Sequence, residues 1–200
     1  MKKVDRRIKR TKQSLKDALI SLIEEKELAS ISITDIVNKS DVNRSTFYTH
    51  FRDKDELLNC IINDLLEGMI QCMSDDSTLT PPEKKQLSDA CPTALQLFSY
   101  IENHSTYFKT LLNHQKLPQF MIHFSDAMYR FYLKEIKSQT NENQLINQGF
   151  FASYLSSVLV GFIYHWLVNT DMKYSPDFIA HEFTKILTMK SSIPHFTFNK

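Results

Sequence analysis

Two hundred residues with a formal net charge of +1 suit one domain or two small ones. Three cysteines, odd in number and irregularly spaced (Cys60, Cys72, Cys91), exclude a disulfide framework and a zinc-ligand pattern. The near-neutral total hides an asymmetry: residues 1–54 hold 13 Lys and Arg against 8 Asp and Glu, net +5, and residues 55–200 hold 11 against 15, net −4.

Eight of the basic residues (Lys2, Lys3, Arg6, Arg7, Lys9, Arg10, Lys12, Lys16) fall within the first 16 positions, against one acid, Asp5. Such a head suits a polyanion bound with salt-dependent affinity, through counterion release; taken alone, it also suits a solvated tail. Leu15, Ala18, Leu19, Leu22 and Ile23 then line one side of a first predicted helix ending near Lys26. A second helix over 34–39 carries Ile36 and Val37 and can be capped by Ser32 or Thr34. Ser40-Asp41-Val42 breaks that pattern, and Asn43 can cap a third helix over 44–51. Phe47 and Phe51, four apart, share its inner face, which leaves Arg44, Ser45, Tyr48, Thr49 and His50 facing outward. A short helix with an aromatic inner edge and a hydrogen-bonding outer face is what a DNA major groove can admit and read. The stretch therefore predicts a helix-turn-helix. Arg44, Ser45, Thr49 and His50 are expected at base edges and Tyr48 on the backbone. Asn43, Thr46 and Thr34 flank them, and Arg10 with the rest of the 1–10 arm and Lys54 is expected on phosphates.

A long connecting helix over 54–73, capped by Asp53, follows, with Leu57, Leu58, Ile61, Ile62, Leu65, Leu66 and Met69 recurring at three and four. At about 1.5 Å per residue it would span roughly 30 Å and could carry motion from body to head. Residues 74–89 include Pro81-Pro82 and few apolar positions, which reads as a mobile loop. Helices are predicted over 92–103, 106–113, 118–138, 142–169 and 176–189, with no clear periodicity in 191–200. The fold class is thus all-α. Residues 150–168 contain no Asp, Glu, Lys or Arg and reach the length of a membrane span. Their serines, Tyr164 and His165, and the lack of basic flanks, favour instead a helix buried on most sides of a soluble dimer. Gly149 and Gly161 inside that helix suggest close approach of a neighbour. The basic N-terminus is not closely followed by an apolar segment, so no signal peptide is expected and the chain reads as cytoplasmic and reduced.

At these residues the sequence resembles the TetR/AcrR family of one-component bacterial transcription regulators. RTKQSLKDALISLIEEK, SITDIVNKSDVNRSTFYTHF and KDELL follow one another at the family's spacing. Two departures stand out: Asp41 occupies a turn where the family usually has Gly, and Glu27 stands before Leu28 where Gly is frequent. Asp tolerates a left-handed backbone better than most residues, though its carboxylate opposes close approach of a phosphate. The resemblance implies residues 1–54 as basic arm and DNA-binding domain and 55–200 as a helical ligand-binding and dimerisation domain. It also implies a four-helix interface built from the last two long helices of each subunit. LFSYIENHSTYFKTLL and VLVGFIYHWL also resemble, loosely, the C-terminal domain of a subgroup from low-GC Gram-positive bacteria.

Aromatics with polar tips crowd the middle helices, and Tyr100, His104, Tyr107, Phe108, Phe124, Tyr154 and Tyr164 are candidate ligand contacts. The competing reading is that an all-helical core uses them to fill volume. No His pair has metal-ligand spacing, and no Gly-rich phosphate loop, nucleophile elbow or Cys-x-x-Cys is present, so neither metal, cofactor nor catalysis is expected. The sequence predicts a homodimeric repressor released from an inverted-repeat operator in double-stranded DNA by a small-molecule effector. The rivals are an architectural or checkpoint DNA binder controlled by a protein partner, a transcriptional activator, and a helical enzyme with an incidental basic head.

Overall fold

A computed structural model of the protein describes residues 6–74, 91–112, 118–139 and 146–188, and within them nine α-helices and no strand. The head is built from α1 (Arg6–Glu25), α2 (Ile33–Ser40) and α3 (Arg44–His50), closed by the start of α4 (Lys54–Ser74). α1 buries the predicted apolar stripe and Ile20 against Ile36, Val37, Phe47 and Phe51. Its helix already begins at Arg6, so half of the expected basic arm is helical, and residues 1–5 lie outside the described residues.

Between the two candidate caps of α2, the structure selects Ser32. Its Oγ accepts the Asp35 N–H at 3.1 Å while the Asp35 carboxylate accepts the Ser32 N–H at 2.8 Å, a reciprocal capping box. At the other end Asp41 is left-handed (φ 53°, ψ 40°), and the Val42 N–H reaches back to the Val37 carbonyl at 3.1 Å, which closes the helix as glycine usually does. For α4, Asp53 Oδ1 accepts the Glu56 N–H at 2.8 Å, as the sequence predicts.

The body comprises α5 (Pro92–Asn103), α6 (Ser105–Leu112), α7 (Pro118–Gln139), α8 (Gln148–Tyr164) and α9 (Pro176–Thr188). α7 packs along α8, α5 along α9, and α4 rests on α5 and α7. Phe98 at the centre meets Phe162, Trp166 and Phe183 at ring distances of 6.0, 5.6 and 5.5 Å. Of the predicted helix over 142–169, residues 142–145 lie outside the described residues; the described helix starts at Gln148, where Asn147 Oδ1 caps the Gly149 and Phe150 N–H groups. It ends in a π-helical turn, His165–Asn169. Asp171 and Met172 then adopt φ of 47° and 59°, and Trp166 Nε1 donates to the Tyr174 carbonyl at 2.9 Å to hold the corner before α9. The expected loop over 74–89 falls, after Ser74, outside the described residues, as does the 191–200 tail.

Gln148–Asn169 is long and apolar enough, by length and composition, to cross a membrane. It is not buried on most sides within one chain: 39% of its apolar window is covered, and Phe150, Phe151, Tyr154 and Val168 are exposed. Gly161 faces open space, whereas a Cβ on Gly149 would lie 3.5 Å from the Tyr129 hydroxyl. The tight approach is at Gly68, where a Cβ would overlap the Tyr100 hydroxyl.

Candidate nucleic-acid interface and effector clefts

Phe47 and Phe51 anchor α3 from below, their rings 6.0 Å apart. With the aromatic edge buried, Arg44, Ser45, Tyr48 and Thr49 are exposed and Thr46 and His50 are half-buried. Asn43, at the N-cap position, makes no side-chain cap bond and is exposed, as are Thr34 on α2 and Arg10 on α1. The Arg44 guanidinium lies 5.8 Å from the centre of the Tyr48 ring, with Nη2 3.4 Å from the hydroxyl. Both groups thus lean together on the outer face, where the arginine keeps donors for a bidentate contact. Thr49 spends its hydroxyl proton on the Ser45 carbonyl at 3.0 Å, so its oxygen is left to accept.

The structure gives Lys54 an occupation that the sequence did not suggest. Its ammonium donates to the carbonyls of Leu28 (2.7 Å), Ala29 (3.3 Å) and Ile31 (2.9 Å), at the 3-10 turn Leu28–Ser30. It ties the start of α4 to the linker between α1 and α2. The Asp35 carboxyl is held down to about 2, first by the Ser32 N–H and then by Lys26, 2.9 Å away. The Asp53 carboxyl is likewise lowered, chiefly by the Glu56 N–H. Both anions are therefore committed to holding the head's helix ends.

Of the seven candidate ligand contacts, three converge. Tyr100, His104 and Tyr107 line a small cavity of about 130 Å³ with Gln13, Lys16, Ile61, Asp64 and Leu65, where head helix α1 meets α4, α5 and α6. The Tyr100 hydroxyl donates to the Leu65 carbonyl at 3.1 Å, and its ring stacks 4.2 Å from His104. Tyr107 donates to Asp17 and accepts from Gln13 Nε2 at 2.9 Å. Burial pushes the Tyr100 phenol up to about 12; burial and the Asp17 bond raise that of Tyr107. The other four lie elsewhere. Phe108 and Phe124 are fully buried against each other at 6.2 Å, Tyr154 is exposed on α8, and Tyr164 is half-buried.

A larger cleft, about 500 Å³, opens between α4 and α7. Asn59, Ile62, Asn63, Leu66 and Ile70 face it from α4, and His123, Asp126, Arg130, Phe131 and Lys134 from α7. None of the seven candidate ligand contacts lines it. The signal in the sequence is two exposed amides one turn apart beside the apolar stripe of α4, and polar groups at three- and four-residue spacing on α7. Among the described residues no group of three His, Cys, Asp or Glu side chains is placed to hold a metal.

A short outward-facing polar helix seated on a capped three-helix head, joined by one long helix to an aromatic-cored bundle, defines a helix-turn-helix regulator. Residues 15–61 match the family described as bacterial regulatory proteins, tetR family, and residues 88–189 match the transcriptional regulator C-terminal region of the same family. The chain belongs to the TetR family of DNA-binding transcriptional regulators. It is 29% identical over 94% of its length to an uncharacterized HTH-type transcriptional regulator of Bacillus subtilis (strain 168), YxbF, and spans about half (47%) of that relative. Among solved structures, a putative TetR-family regulator from Syntrophomonas wolfei superposes with a TM-score of 0.65 at 19% identity, covering 89% of this chain and 93% of that one. The dihydroxyacetone kinase operon activator DhaS superposes at 0.58 and 15% identity, covering 88% and 93%. At these identities both likenesses concern the fold.

Proposed function

We propose that the chain is a cytoplasmic, homodimeric repressor that binds an inverted repeat in double-stranded DNA and is released by a small-molecule effector. The observation that carries this reading is the apolar face left on the last two helices: Phe150 is 79% exposed, with Tyr154, Phe178, Ile186 and Leu187 also open. Large apolar side chains in such number call for a partner surface. A second copy supplies one and places two reading heads on one face of DNA. In this reading Arg44, Ser45, Thr46, Thr49 and His50 address base edges. Asn43, Thr34, Tyr48 and Arg10 position the head, and residues 1–54 and 55–200 divide the labour. Two heads seated on a promoter palindrome exclude other proteins from it, which supports repression. Activation is the second reading, since the same two-headed contact with a palindrome can also recruit a partner.

Selection of the purified protein against random duplex DNA at near-physiological salt tests the proposal. An enriched inverted repeat is expected, and Arg44→Ala should then relax one base position and cost about 1–3 kcal/mol. Binding that lacks sequence preference and simply fades with salt would overturn it. A promoter reporter carrying the enriched repeat decides the sign of regulation.

A further inference from the structure

The cleft between α4 and α7 has a floor and a rim of different chemistry. Ile62 and Leu66 are buried, and Ile70 and Phe131 half-buried, so its base is apolar. Arg130 and Lys134 stand one turn apart on α7, both exposed, and His123 stands on the same face. On the α4 side of the lining Asn59 and Asn63 stand one turn apart. Among the described residues neither amide has a hydrogen-bond partner, and Lys134 has no ion pair. The one opposing charge, Asp126, is engaged by Arg130 Nη2 at 2.8 Å, which leaves the guanidinium its remaining donors and the lining a net positive charge.

From this we infer that the α4–α7 cleft is the effector site and takes an amphipathic organic monoanion, a carboxylate on a medium-length apolar tail. The inference rests on the effector-responsive reading above and gives it a ligand class. The carboxylate accepts from Arg130 and Lys134. The tail lies along Ile62, Leu66 and Ile70, a stripe about 12 Å long at helical rise, the reach of a medium-chain acyl tail. A neutral or cationic head group would leave Lys134 without a counter-charge. The volume of about 500 Å³ falls in the range of small-molecule sites. Occupancy also bears on the head directly. Only three residues separate the end of α3 at His50 from the start of α4 at Lys54, so a ligand wedged between α4 and α7 acts on the helix that positions the reader.

The test titrates decanoate, decanol and decylamine into the full-length protein by calorimetry and follows occupancy of the selected DNA repeat in parallel. Decanoate is expected to bind at least about tenfold more tightly than either of the others, the effect of a charge-assisted hydrogen bond gained or lost, and to release the DNA. The double variant Arg130→Gln, Lys134→Gln changes only exposed side chains; it should lose that preference while decanol binding stays put. Ala127 also lines the cleft from α7, and Ala127→Trp, which fills it, should abolish binding of decanoate and decanol alike. Equal affinity for the three probes, absence of decanoate binding at millimolar concentration, or indifference to the double variant overturns the inference. Repeat-specific DNA binding surviving those results leaves the regulator reading standing, whereas its absence overturns that reading instead.

Discussion

Asp41 and Asp35 show how single acids serve a basic head. Asp41 occupies the left-handed position that closes α2, where a side chain costs roughly 1–2 kcal/mol relative to Gly for most residues and less for Asp. Asp35 is committed twice over, to the Ser32 N–H and to Lys26. Its folded-state carboxyl is depressed from 3.8 to about 2, so the stability it contributes is present above 3.8 and drains away as pH falls toward 2. Asp35→Asn should therefore be less stable than the parent at neutral pH yet lose less between pH 4 and pH 2. Thermal melts of both proteins across that window check this; parallel loss in the two would show that the capping box does not contribute the pH dependence.

Elements are joined here by a few polar ties, and two of them can be cut separately. Lys54 holds α4 to the turn after α1 by three carbonyl contacts, and Lys54→Met should cost about 1–2 kcal/mol, since hydrogen bonds to a charged group are the stronger kind and this one is half in solvent. The urea midpoint of unfolding should drop while the salt slope of DNA binding holds. An unchanged midpoint with a slope shallower by about one would assign the lysine to phosphate. At the other join, Gly68→Ala drives a methyl into the Tyr100 hydroxyl and should cost about 1–3 kcal/mol. Paired with Tyr100→Ala it should cost less than the two changes summed, as contacting residues do. The helices themselves were legible because period, caps and Pro-initiated starts agree, as at Ser32, Asp53 and Pro176. The ties were not, since nothing in the order of residues brings Lys54 to Leu28 or Tyr100 to Gly68. The same limit hid the α4–α7 cleft, while Phe108 and Phe124, candidate ligand contacts by sequence, are buried against each other.

For the whole molecule, the decisive question is what covers α8 and α9. The exposed face mixes Phe150, Tyr154 and Phe178 with Ser153, Ser157 and His165, none of which hydrocarbon can satisfy, but which a protein partner can pair. The basic head adds a reason for two copies: one short helix reads only a few base pairs, and doubling it on a palindrome multiplies discrimination. Phe150, the most exposed of the large apolar residues, is the natural place to break the assembly. Because it is 79% exposed in the single chain, Phe150→Glu should leave the fold and its unfolding midpoint nearly intact. Placed at the centre of a dimer face, the same change should cost about 2–4 kcal/mol of association, a weakening of roughly 30- to 1000-fold. Sedimentation at graded concentrations would then show monomer where the parent is dimeric. Affinity for the full inverted repeat should fall toward that for a single half-site, whose own affinity stays constant. A parent that sediments as a monomer, or a variant that remains dimeric and binds the repeat normally, would remove this face from the interface and with it the geometric reason for an inverted repeat.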